Sequence, residues 1–263
     1  MIELHDDPRS VALALRGVRK VFGNKVAVDN LSLDIPRGAL YGVVGPNGAG
    51  KTTSLAMATG LLRPDAGEAY IAGHNTWEEP ELVRQKMGLL IDDAPYFDRL
   101  SGPEILAFTG GLRGMDPDTI ARRGEELLDA LGLVEAADTP IGEYSAGMTK
   151  KILLAVAMIH NPEVLILDEP LESVDPVSGK LIQDILRAYV GAGGTVVISS
   201  HVMELIEGLC DYVAIIDRGT VRTAGHVDEV RNGRRLSDVF VELVGGASLK
   251  EGSLGWLGGR DHV

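Results

Sequence analysis

The chain has 263 residues, 45% of them hydrophobic and 24% charged, which is enough apolar material for a sizeable core and an ordinary share of charge for a globular protein. A formal net charge of −13 argues against nucleic acid as the main partner, because phosphate backbones select basic faces, although one phosphate pocket needs only local positive potential. A single cysteine, Cys210, permits no disulfide within the chain and fits a reducing compartment; it reads as a small buried apolar residue.

Taken in order, Met1 to Leu15 carries Asp6, Asp7, Pro8 and Arg9 and reads as neither a signal peptide nor an anchor. Leu40–Val44 is a short apolar run entering a glycine-rich loop, and Thr53–Thr59 after it reads as a helix. From Pro103 to Ile159 there is no convincing strand; Glu104–Phe108, Pro117–Leu131 and Gly147–Ile159 read as helices. Val164–Leu167, Thr195–Ile198 and Val213–Ile216 are β-rich runs of the kind buried on both faces of a sheet. No apolar run approaches the ~20 residues that span a bilayer, so work at a membrane would need another polypeptide. The alternation predicts an α/β fold with a mostly parallel sheet, its core formed by 1–92 and 158–244. A helical subdomain is inserted at 93–157, and a glycine-rich tail at 245–263 is expected to be mobile.

Gly45-Pro46-Asn47-Gly48-Ala49-Gly50-Lys51-Thr52 fits G-x-x-x-x-G-K-S/T at every fixed position, between a strand and a helix. Glycines let successive backbone N–H groups converge on phosphate oxygens. Lys51 supplies a mobile positive charge for the terminal phosphates. The Thr52 hydroxyl is a hard oxygen suited to Mg²⁺. Thr53 opens the following helix, whose N-terminal dipole favours anions. Further on, the apolar strand Val164–Leu167 delivers Asp168 and Glu169 to the carboxyl end of the sheet, where ligands sit in open α/β folds. Asp168 suits the Mg²⁺ shell, and Glu169 can polarise an attacking water.

Tyr144-Ser145-Ala146-Gly147-Met148, just upstream of the acidic strand, resembles the signature loop of the ABC ATPases, usually L-S-G-G-Q. The resemblance runs from about Leu13 to Val241 and takes in Asp168-Glu169-Pro170, Ser173-Val174-Asp175-Pro176 and Ser199-Ser200-His201. It implies a P-loop NTPase core (a single ABC domain, 10–244) with an N-terminal antiparallel β part and the helical insertion. His201 takes the place of the family's switch histidine and Phe22 that of its adenine-stacking aromatic. Ser145, Gly147 and Met148 would meet the γ-phosphate held by an opposite subunit, and Asp175 would touch across the dimer. The implied activity is hydrolysis of Mg-ATP by two head-to-tail subunits, with Glu169, His201 and Lys51 as the catalytic set. The chain would need a second copy of itself or a related ATPase subunit. A transmembrane permease subunit would hold it at the inner face of the cell membrane, from the cytoplasm.

Ser145 can cap its helix, and Lys150 and Lys151 read as lying in the first turn, where an anion would offset them. The sequence departs from the family at the usual glutamine before the insertion: the register puts Asp92 there, followed by Asp93, and a carboxylate can also ligate Mg²⁺. That acid and the Tyr-Ser-x-Gly-Met wording are similar to ATPases of exporter-type (ABC-2-like) transporters. The alternative is a soluble, non-transport ABC ATPase acting on a macromolecular partner. The single cassette, the lack of coiled coil and the acidic charge weigh against it.

Overall fold

In the computed structural model the described residues are 4–91 and 97–245. A six-stranded sheet runs in the spatial order β10 (Thr220–His226), β9 (Tyr212–Asp217), β3 (Leu40–Val44), β8 (Thr195–Ser200), β7 (Val164–Asp168) and β6 (Met87–Leu90). All neighbours are parallel except β10, which pairs antiparallel with β9 at the edge. Alternate residues of the inner strands enter two different cores. Tyr41, Val43, Ile166, Val197 and Ile216 face one; Leu40, Val44, Leu165, Leu167, Val196 and Ile198 face the other. A strand buried on both faces must be apolar at both parities, which is why these segments read as continuous runs.

The first core is closed by a four-stranded antiparallel sheet, in the order β2 (Lys25–Ile35), β1 (Leu13–Phe22), β4 (Ala66–Ile71) and β5 (His74–Asn75). Leu55, Met57 and Ala58 of α1 (Lys51–Ala58) are buried in the same core. The buried carboxylate of Asp34 is met by both terminal guanidinium nitrogens of Arg16, at 2.5 and 3.0 Å. This two-pronged pairing is the geometry that makes a buried acid tolerable.

The second core is closed by helices. After α2 (Pro80–Lys86) come α3 (Gly102–Leu112), α4 (Pro117–Ala130) and α5 (Ala146–Met158). No strand lies between 97 and 158 among the described residues. Ser101 and Glu104 form a reciprocal capping box on α3. Asp116 caps α4, with Pro117 at its first position. The core side of this layer is completed by α6 (Pro176–Gly191), α7 (Met203–Leu209), α8 (Val227–Arg231) and α9 (Leu236–Val244). The boundary expected at 92/93 and the tail beyond Gly245 lie outside the described residues.

His160, just after α5, shares a 3.0 Å hydrogen bond between Nε2 and the Met87 carbonyl, while Nδ1 has no partner among the described residues. Burial, aided by the charges of Arg113 and Arg123, pushes its pKa down to about 4. The folded state therefore binds fewer protons here than the unfolded chain, so stability falls as pH drops from about 6.5 toward 4 and is constant below. Replacing His160 with glutamine should remove about 1 kcal/mol of the stability difference between pH 7.5 and 5.5, the figure being reduced for its partial exposure. Urea unfolding at the two pH values reads this directly; an unchanged difference would refute it.

Candidate active site

The phosphate loop bridges the end of β3 and the start of α1, and its shape depends on two glycines. Gly50 has φ +105°, and a Cβ there would lie 2.7 Å from the Ala27 carbonyl. A Cβ on Gly45 would lie 2.2 Å from the Ile216 carbonyl. The loop is thus pressed between β2 and β9 with no room for a side chain. Lys51 is buried, and its ammonium donates to the carbonyls of Gly45 at 2.7 Å and Pro46 at 3.4 Å. Burial lowers the Lys51 pKa, and the negative charges of Glu169, Asp168 and Glu172 oppose that shift.

Asp168 and Glu169 stand at the end of β7, one strand beyond β8, and Glu172 in the turn that follows. Asp168 closes β7 and is buried; one of its oxygens accepts a short hydrogen bond from the Ser199 hydroxyl on β8. The same hydroxyl accepts from the Glu169 N–H at 3.0 Å. One serine therefore aligns both acidic residues, a role that the pairing of Asp168 with Ser199 across the two strands makes possible. Glu169 has φ +46°, a left-handed conformation that a non-glycine residue holds only where its surroundings enforce it. Its carboxylate meets Nδ1 of His201 at 3.1 Å.

These groups face a single cleft of about 590 Å³. Of the residues expected from sequence, Phe22, Asn47, Gly48, Ala49, Gly50, Lys51, Thr52, Thr53, Asp168, Glu169 and His201 all line it. Gly45 contributes through its carbonyl to Lys51. Phe22 is 50% exposed where it lines the cleft, with the Lys20 ammonium 5.8 Å from its ring centre. The hard oxygens of Thr52 and Asp168 are of the kind that Mg²⁺ accepts alongside substrate phosphates. Asp92 and Asp93 lie outside the described residues.

The signature residues sit elsewhere. Ser145 caps α5, its hydroxyl accepting from the Met148 N–H at 3.3 Å. A Cβ on Gly147 would be 3.3 Å from a carboxylate oxygen of Asp175. Asp175 in turn caps α6, accepting from the N–H groups of Val177 and Ser178 at 3.0 Å each. Hydrogen bonds from Ser178 first of all, and then Val177, hold its carboxyl below the usual range. Ser145, Gly147, Met148 and Asp175 line no part of the cleft. One expectation is corrected. Lys150 and Lys151 follow four residues of α5 and so lie beyond its first turn, and the Lys150 ammonium donates to the Glu169 carbonyl at 3.2 Å.

Sequence reading missed Lys25, Ala27 and Glu172, which also line the cleft, and the double role of Ser199. Lys25 is legible only through the tight Gly23-Asn24 turn, which pairs it with Phe22. Glu172 is an exposed acid facing the place where phosphates would lie. Glu172→Gln should tighten triphosphate binding about two- to fivefold, with the gain shrinking as salt rises. Titrations at low and high ionic strength check both parts.

The profile of the family described as "ABC transporter" matches residues 28–172. The chain is 38% identical, over 84% of its own length and 67% of the relative's, to the daunorubicin/doxorubicin resistance ATP-binding protein DrrA of Streptomyces peucetius. It is 34% identical, over 88% and 74%, to the linearmycin resistance ATP-binding protein LnrL of Bacillus subtilis. Among solved structures, the ATP-binding subunit of an ABC transporter superposes with a TM-score of 0.83 at 24% identity, over 89% of this chain and 99% of that one. A dimeric ATP-binding cassette in a post-hydrolysis state, bound to ADP and phosphate, does so with 0.75 at 24% identity, over 82% and 98%. At that identity these two structures speak for the fold, while the profile and the curated relatives speak for descent. With the phosphate loop, the acidic strand end and the histidine gathered in one cleft, the chain belongs to the ABC transporter family as one of its ATP-binding, ATP-hydrolysing domains.

Proposed function

We propose that the chain binds Mg-ATP, pairs head to tail with a second copy of itself or a related ATPase subunit, and uses hydrolysis to drive a separate transmembrane permease, as an exporter. The observation that carries this reading is the division of the site residues. Phosphate-binding and hydrolytic groups share one cleft, whereas Ser145, Gly147 and Asp175 cluster at the starts of α5 and α6 and line none of it. A second chain presenting its own α5 N-terminus would add backbone N–H donors and a positive dipole end to the γ-phosphate. The ammonium of Lys51 would hold the terminal phosphates. Mg²⁺, held by Thr52 and Asp168, would neutralise charge on the β- and γ-phosphates. Glu169 would accept the proton of the attacking water while His201 orients that carboxylate.

No helix among the described residues is long and apolar enough to cross a membrane. One surface feature favours a protein partner. Phe97, before α3, and Phe108, within it, meet edge to face at 5.0 Å while 56% and 43% exposed, and Leu112, four residues on from Phe108 in α3, is 74% exposed. Exposed aromatic patches of this kind mark protein contacts. Resistance ATPases among the relatives favour export, and through the permease the chain would lie on the inner face of the cell membrane. The test is the mass of the Glu169→Gln variant in solution. It should double on addition of Mg-ATP; a monomer with ATP bound overturns the self-paired site.

A further inference from the structure

Glu169 is fixed through its backbone as much as through its side chain. Its N–H donates to the Ser199 hydroxyl at 3.0 Å. Its carbonyl accepts from the Glu172 N–H at 3.2 Å and from the Lys150 ammonium, also at 3.2 Å. Between these anchors the residue holds φ +46°. A side chain disfavours that conformation, so it persists only while neighbouring groups enforce it. The consequence is visible in the carboxylate, which is turned to within 3.1 Å of His201 Nδ1.

The three anchors differ in where they come from. Ser199 belongs to the adjacent strand and Glu172 to the same turn, so both move with the sheet. Lys150 belongs to α5, the helix capped by Ser145 with Gly147 in its first turn. An ammonium on a four-carbon stem reaches from the helix to the strand end and offers up to three donors. We propose that Lys150 is a positioning residue for Glu169. It holds the carbonyl so that the carboxylate keeps its aim on His201 and the water site, and it ties that aim to the helix bearing the signature residues. The second half rests on the paired-subunit reading. When α5 of one subunit closes on its partner's nucleotide, the lysine carries that displacement to the subunit's own hydrolytic acid. Each cleft is then informed of the other's occupancy through a single side chain.

The test is steady-state ATP hydrolysis by Lys150→Met, which keeps the length of the stem and removes the donors. The expected result is a kcat lower by about tenfold or more, with KM for ATP within about twofold and the melting temperature retained. Lys150→Arg, which restores a donor, should recover most of kcat. An unchanged kcat, a KM that rises in step with the loss, or no recovery in Lys150→Arg would overturn the proposal. Should Lys150→Met fold poorly, Lys150→Leu, which also lacks a donor, takes its place under the same criteria. Mass measurements separate this idea from the paired-subunit reading. Lys150→Met combined with Glu169→Gln should still dimerise with Mg-ATP as Glu169→Gln alone does. If Glu169→Gln alone never dimerises, the shared site fails, while the kcat and KM split still decides whether Lys150 positions Glu169.

Discussion

Glu169→Gln should lower kcat for ATP hydrolysis by about 10²–10⁴-fold while leaving ATP affinity nearly unchanged. That range is what a positioned general base typically contributes, about 10²–10⁴-fold. The amide is close to isosteric, so the contacts that hold residue 169 survive: the N–H to Ser199, the carbonyl to Lys150 and Glu172, and a side-chain oxygen near His201. What disappears is the ability to take a proton from water. Affinity is spared because the acid stands beside the phosphate loop rather than in it, and removing a negative charge from the cleft acts, if anything, in favour of an anionic ligand. Single-turnover phosphate release with pre-bound ATP separates the chemical step from binding. A variant that keeps more than a tenth of native turnover would show that another group is the base.

Lys51→Met should weaken ATP binding by about 2–5 kcal/mol, roughly thirtyfold or more, without unfolding the domain. The side chain is buried and crosses its own loop to the Gly45 and Pro46 carbonyls. Methionine fills much the same volume, so packing around α1 is kept. The lost charge is a different matter. Desolvation already works against it, and it is retained because Glu169, Asp168 and Glu172 surround it. With it gone, the phosphates meet three carboxylates and no buried cation. Equilibrium titration with a fluorescent ATP analogue reads the loss, and thermal melting without nucleotide should shift by only a few degrees, corresponding to about 1 kcal/mol. Affinity within threefold of native would mean that backbone N–H groups alone hold the phosphates.

The parts of the fold legible in sequence were those buried on both sides. Leu40–Val44 matches β3 residue for residue, and Val164–Leu167, Thr195–Ile198 and Val213–Ile216 fall within β7, β8 and β9. The edge strand β10 did not announce itself, because none of its residues is fully buried and polar ones intervene. Nor did the pairing of β1 with β2, whose register shifts between Leu15 and Val21 and so breaks simple alternation. The sequence reads as a helix over Glu104–Phe108, whereas α3 runs on to Leu112 through Gly110 and Gly111, although glycines are poor helix formers. A Cβ on Gly110 would lie 2.6 Å from the Ile120 side chain, so the glycine lets α3 and α4 approach. In the site, a residue type in a motif was enough to single out Lys51, Asp168, Glu169 and His201, which the fold gathers in one cleft. Ser199, Glu172 and the reach of Lys150 needed the third dimension, because each acts on a partner that only the strand order and the helix packing bring near.

That strand order also governs when the cleft can exist. In space β8 lies between β3 and β7, yet it is made last of the three. A nascent chain that has not reached Thr195 has its phosphate loop and its acids on two strands with an open slot between them, each edge a template for unwanted pairing. Filling that slot brings Ser199 and His201 at the same moment as it closes the sheet. The complete cleft therefore exists only once most of the domain has been synthesised, and ATP bound across it stabilises chains whose central sheet is closed.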